Sequence, residues 1–162
     1  SNNKVGVLAT SGTLKSTKFS ALLERYSGKV KFYVQPCPGL VNAIEKGIVD
    51  NVELIELLEK YLRDFKKNAV DTIVLGCTHY VYIKHLITKI MDSNIAFVDT
   101  GEAVAKQLQA KLEEFNLNVK SSESSEPIKL ILTEYKNKNI QQIIDQSFLE
   151  SSIAYELERS WC

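Results

Sequence analysis

Cysteine is scarce and awkwardly placed. The 162 residues hold three, Cys37, Cys77 and Cys162, an odd number with no regular spacing. Such a set makes a poor disulfide framework, and no C-x-x-C pair marks a dithiol centre. An excess of one charge is missing too, since twenty basic residues balance twenty acidic ones. Without a net field, neither nucleic acid nor an anionic membrane is expected as the main partner. No run approaches the roughly 20 apolar residues that span a bilayer, and no early apolar segment is flanked by positive charge as in a secretory leader. A cytoplasmic protein with reduced thiols is the resulting expectation. Solenoid-type repeats are absent. The first residue is not Met and lies a few positions before a strand, which reads as a piece of something longer.

What is present is enough apolar material for a packed core, 44% of the residues. Val5 to Thr10 is a short apolar run that stops at Ser11-Gly12, as a buried strand entering a loop does. Residues 15 to 26 predict a helix, with Phe19, Leu22, Leu23 and Tyr26 on one face. Val30 to Gln35 alternates and reads as a second strand, and Pro36-Cys37-Pro38-Gly39 as a loop. A helix from about Asn51 to Lys67 has the stripe Leu54, Ile55, Leu58, Tyr61, Leu62 and Phe65, with Asp50 or Asn51 as cap. Asp71 to Gly76 is a strand, Cys77 to Tyr80 a turn, and Ile83, Leu86, Ile87 and Ile90 mark a helix. Ile95 to Val98 is a short strand. Asp99 and Glu102 then suggest a capping box at the start of a helix reaching about Phe115.

Alternating strands and helices of this kind predict an α/β fold with a mostly parallel sheet and ligand loops at the strand C-termini. From Lys120 to Glu126 the chain is polar and reads as a linker. Beyond it lie a strand from Ile128 to Thr133, with no hairpin partner of its own, and a helix from about Asn139 to Phe148.

Two loops could do chemistry. Leu75-Gly-Cys-Thr-His-Tyr80 places Cys77 where a buried strand meets a helix start, whose amides favour a thiolate. His79 could polarise that thiol or pass a proton, and Thr78 could bind a carboxylate. The bland reading is a buried cysteine before a turn. Ala9 to Ser16 is rich in hydroxyls, again at a strand end, and could bind an anion; equally it could be a solvated turn with Thr13 capping the next helix. It is not a P-loop, because the G-x-x-x-x-G-K-[ST] spacing is absent. A structural zinc wants four ligands, while Cys77, His79 and His85 offer one short-spaced pair, so no metal is expected. A Cys37–Cys77 redox pair ranks low without C-x-x-C.

Together these segments resemble the glutamate racemases of the aspartate/glutamate racemase superfamily. Gly6-Val-Leu-Ala-Thr-Ser-Gly-Thr13 with Ser16 is similar to that family's G-[VIL]-[LI]-[AG]-T-x-G-T-x-x-S signature. Leu75 to Tyr80 resembles its second catalytic segment, Val98 to Ala105 its V-D-[ST]-G-E-A-V-A stretch, and Cys37-Pro38 with Val41 to Gly47 its C-P-x-x-V-x-x-[IV]-E-x-G loop. His79 is in keeping with glutamate rather than aspartate as substrate. Val81 and Asn42 stand where that family usually has Pro.

The resemblance implies a cofactor-independent enzyme that interconverts L- and D-glutamate between two cysteines, one removing the α-proton and the other returning one, for peptidoglycan synthesis. By that likeness Cys77 is the second cysteine and His79 its acid–base helper, while Thr10, Thr13, Ser16 and Thr78 hold substrate or line the cleft. The family's D-S-G-x-G-G loop and C-N-T string do not occur here. So residues 1–102 are expected to form one intact parallel-sheet domain of the racemase type. Residues 103–162 are expected to be a C-terminal segment of an incomplete second α/β domain, with a homodimer or strand exchange covering its apolar faces. The isolated chain should then be inactive or nearly so. A single-lobe module that binds small carboxylates without racemising them is the alternative, as is another enzyme of the superfamily acting on malonates or hydantoins.

Overall fold

Strand β1 (Lys4–Ala9) is apolar through its last four residues, all buried, because it has a neighbour on each side. The computed structural model describes residues 2–47, 51–92, 94–117, 128–132, 144–145 and 155–159. They divide between two compact units, Ser1–Glu102 and Ala103–Cys162.

The first unit is built on a four-stranded parallel sheet in the order β2-β1-β3-β4, with β2 at Lys31–Pro36, β3 at Thr72–Gly76 and β4 at Ala96–Val98. Pro36 closes β2 and so belongs to the sheet, where only a loop was expected. An edge position tolerates it, since no second neighbour needs the missing N–H. The connecting helices are α1 (Ser11–Leu14), α2 (Thr17–Tyr26), α3 (Leu40–Glu45), α4 (Val52–Lys67) and α5 (Lys84–Met91). A 3₁₀ helix, Thr78–Ile83, precedes α5. Helix α6 (Gly101–Glu114) comes after β4.

The core lies where the stripe of α4 meets the sheet. Leu54, Leu58, Tyr61, Leu62 and Phe65 are all buried, and Asn51 caps the helix by accepting from the Leu54 N–H at 3.0 Å. Gly6 lets this helix come close: a Cβ there would sit 2.5–2.8 Å from three atoms of the Phe65 ring. The ring is itself almost fully buried and cannot swing away. Gly6→Ala is therefore expected to destabilise the unit by about 1–3 kcal/mol through overpacking, read as a lower urea midpoint with an unchanged slope.

The strand order reverses direction after β2. Right-handed crossovers then place α2 on the sheet face opposite α4 and α5. With that face largely to itself, α2 buries none of its residues, and Leu22 and Tyr26 remain 52% and 40% exposed. A short α1 over Ser11–Leu14 precedes the helix expected over residues 15–26, which is α2 and starts at Thr17. Thr10 caps the first and Ser16 the second, where Thr13 was the expected cap. Nor is Asp99 a capping-box residue. It lies two residues before α6, accepts from the Gly101 N–H at 2.8 Å and pairs with Lys84 at 2.5 Å, which holds its carboxyl below the usual range.

In the second unit, β5 (Ile128–Leu132) pairs in parallel with β6 (Tyr155–Arg159). The strand that lacked a hairpin partner thus has a crossover partner instead. The Tyr155 hydroxyl donates to Asp145, which with Ile144 is helical. The rest of the helix expected over 139–148, and the linker at 120–126, lie outside the described residues. Among the described residues no helix is long and apolar enough to cross a membrane.

Candidate active site

Register fixes the site before any side chain is considered. Ala9 pairs with Pro36 on one side and Gly76 on the other. The next residues, Thr10, Cys37 and Cys77, therefore emerge side by side from three neighbouring parallel strands. Gly76 keeps β1 and β3 tight at this point, since an added Cβ would lie 2.9 Å from both the Ala9 Cβ and the Leu8 carbonyl. Because β1 leads to β2 on one side while β3 lies on the other, the gap between β1 and β3 is the switch point of the sheet. Open α/β folds form their ligand crevice there.

Cys77 is partly exposed and ends β3 in extended conformation, φ −146° and ψ 141°. It leads into a 3₁₀ turn where a turn was expected, with α5 following, so its amide field is that of one short turn. The first bond of the turn runs from the Tyr80 N–H to the Cys77 carbonyl, 3.1 Å. The Cys77 sulfur lies 3.9 Å from His79 Nδ1, and His79 Nε2 lies 3.1 Å from Glu45 Oε1. Glu45 is the last residue of α3 and comes from 34 positions away. It was not a candidate, although it stands within the Val41–Gly47 segment already singled out; the signal was a glutamate with no stated job.

On β1's side, the Thr10 and Thr13 hydroxyls hydrogen bond at 2.9 Å, and the Thr13 N–H donates to Thr10 Oγ1 at 3.3 Å. Ser16 sits one turn on, where its hydroxyl accepts from the Phe19 N–H at 3.2 Å. Thr78 opens the 3₁₀ turn and is exposed. The fold thus brings together Cys77, His79 and Glu45 in one line and Thr10 with Thr13 in another, at neighbouring strand ends. His85 lies on α5. Among the described residues no cluster of three or more His, Cys, Asp or Glu side chains could hold a metal ion.

Cys37 differs from Cys77 in kind. Burial pushes its thiol up to about 12. Its S–H donates to the Gln35 carbonyl at 3.3 Å. Both cysteines are free. They leave strands on either side of β1, about 9–10 Å apart by ordinary strand spacing, which is too far for a disulfide without backbone movement.

Comparisons with known proteins agree on one family. The Asp/Glu/Hydantoin racemase family matches residues 1–108. The glutamate racemase of Pseudomonas paraeruginosa is 48% identical over 111 residues, 68% of this chain and 42% of that protein. That of Ectopseudomonas mendocina is 47% identical over 113 residues, 70% of this chain and 43% of that one. Among solved structures, Francisella tularensis glutamate racemase in complex with D-glutamate superposes with a TM-score of 0.70 at 27% identity, covering 98% of this chain and 57% of that chain. The Escherichia coli enzyme in complex with L-glutamate and the activator UDP-MurNAc-ala gives 0.70 at 23%, covering 99% and 59%. The chain spans less than half the length of these curated relatives. With two thirds of its residues under the family's pattern, this chain belongs to the Asp/Glu/hydantoin racemases.

Proposed function

We propose that this chain is part of a cytoplasmic, cofactor-independent glutamate racemase that supplies D-glutamate for peptidoglycan, and that Cys77 is one of its two proton-carrying thiols. The observation behind this reading is the line Cys77–His79–Glu45 beside the hydroxyls of Thr10 and Thr13 at the switch point of the sheet. Glu45 accepts from Nε2–H, which leaves the Nδ1 lone pair toward the Cys77 thiol. His79 can then take the thiol proton and pass it on, its positive charge balanced by the carboxylate. The thiolate removes the α-proton from one face of glutamate, and a thiol of the opposite lobe delivers one to the other face. Thr10, Thr13, Ser16 and Thr78 offer hydroxyls and amides for the substrate's carboxylates without a cationic side chain. Residues 1–102 act as the lobe bearing Cys77, and residues 103–162 belong to a second lobe. The racemase likeness favours this over a simple carboxylate-binding module.

Because one base serves one face only, the 162-residue chain by itself is expected to convert almost no L- to D-glutamate. Polarimetry and deuterium wash-in at the α-carbon measure this. Brisk racemisation by the chain alone would show that the second thiol is not missing, and would defeat the proposal as framed.

A further inference from the structure

Helices α4 and α5 lie side by side and leave a groove of about 740 Å³ between them. Small-ligand sites have volumes of roughly 300–1,000 Å³. The floor is aliphatic, with Ile55 and Leu62 from α4 and Leu86 and Ile90 from α5. Leu62 is buried and the other three are partly covered, so they line a hollow rather than project from a face. The walls are basic. Arg63, Lys66, Lys67 and Lys89 border the groove, against the single carboxylate of Glu59. That is a local excess of three positive charges on a chain whose formal net charge is zero.

Helix ends explain only part of this. The last turn of a helix favours cations, and Lys66, Lys67 and Lys89 all stand in one. Lys66 is engaged there, donating to the Ile90 carbonyl at 2.8 Å. Arg63 lies a turn earlier on α4. Among the described residues, the side chains of Arg63, Lys67 and Lys89 have no ion-pair or hydrogen-bond partner. Nor does the groove belong to the Cys77 site. The last turn of α4 leads through Val70 and Asp71 into the start of β3, whereas Cys77 follows its end.

We propose that this groove binds a small amphipathic anion, its apolar body laid on the aliphatic floor and its carboxylate, sulfonate or phosphate held by Arg63, Lys67 and Lys89. An uncharged body would leave three cations crowded in one hollow. An anion relieves their mutual repulsion and gains charge-assisted hydrogen bonds. The inference is independent of the reading of Cys77 as a proton carrier.

The experiment titrates the 162-residue chain with anilinonaphthalene sulfonate, an aromatic body carrying one anion, and follows its amide NMR spectrum. Saturable shifts are expected at Ile55, Leu62, Leu86 and Ile90. The uncharged analogue N-phenylnaphthylamine should bind about three- to tenfold more weakly. Lys67→Gln with Lys89→Gln should weaken the sulfonate by a similar factor, about three- to tenfold, without moving the unfolding midpoint, since both side chains are exposed and unpaired. Lys18→Gln with Lys29→Gln removes the same charge elsewhere and should leave binding unchanged. The inference is overturned by shifts centred on α2 or α6, by the absence of saturable shifts, or by equal binding of the charged and uncharged probes. Equal weakening by the two double variants also overturns it, by showing that only overall charge matters.

Discussion

Placed in a complete two-lobed racemase, Cys77→Ala is expected to lower L- to D-glutamate conversion by at least about 10³-fold. An alanine methyl can neither accept the α-proton nor return one, and no neighbour can stand in for it. Cys37 comes from a strand on the far side of β1, buried, with its thiol pushed up to about 12. His79 Nδ1 lies 3.9 Å from the sulfur, and in the proposed relay it exchanges its proton with Cys77 rather than with substrate. Wash-in gives the finer reading. With one thiol left, solvent deuterium should enter the α-position of one enantiomer and not of the other. Loss of exchange for both would mean that Cys77→Ala had damaged binding, and undiminished racemisation would remove Cys77 from the chemistry.

The second large effect concerns the histidine. His79→Asn should reduce kcat by about 10²- to 10⁴-fold in the same complete enzyme while KM stays nearly level, the mark of a proton-transfer group that does not bind substrate. Asparagine keeps a polar tip but cannot cycle a proton. Glu45→Gln should show a smaller fall in kcat. The amide can still accept from Nε2–H, but it brings no negative charge to balance an imidazolium, so the partly exposed pair at 3.1 Å is kept in shape and weakened in effect. If His79→Asn raised KM tenfold and left kcat alone, the imidazole would belong with substrate binding.

Much of this could be read in the sequence, for identifiable reasons. Helix α4 was legible because every buried residue it presents falls on one 3.6-period stripe and an asparagine stands at its start. Cys77 was legible because an apolar strand halts at glycine. Helix α3 escaped because it is six residues long and begins after two prolines, at a Gly39 whose φ of 81° gives no side-chain cap to recognise. Strand β6 escaped because three of the five residues of Tyr-Glu-Leu-Glu-Arg are charged and its partner lies more than twenty positions earlier in the chain. Glu45 escaped for the same reason at longer range. Nothing local ties it to His79, and the fold alone sets them together. The split between α1 and α2 turns on which hydroxyl caps which turn, and Thr10, Thr13 and Ser16 were all chemically able to serve.

Asn51 does more than begin a helix. Its amide nitrogen donates to the carbonyls of Ala43 and Gly47, both at 2.7 Å, while its oxygen holds the first turn of α4. One side chain thereby rivets the short helix that presents Glu45 to the long one packed on the sheet. The carboxylate behind His79 is anchored to the sturdiest part of the lobe. On heating, such a design loses its acid–base relay only when the lobe itself melts, so inactivation and unfolding should share one temperature.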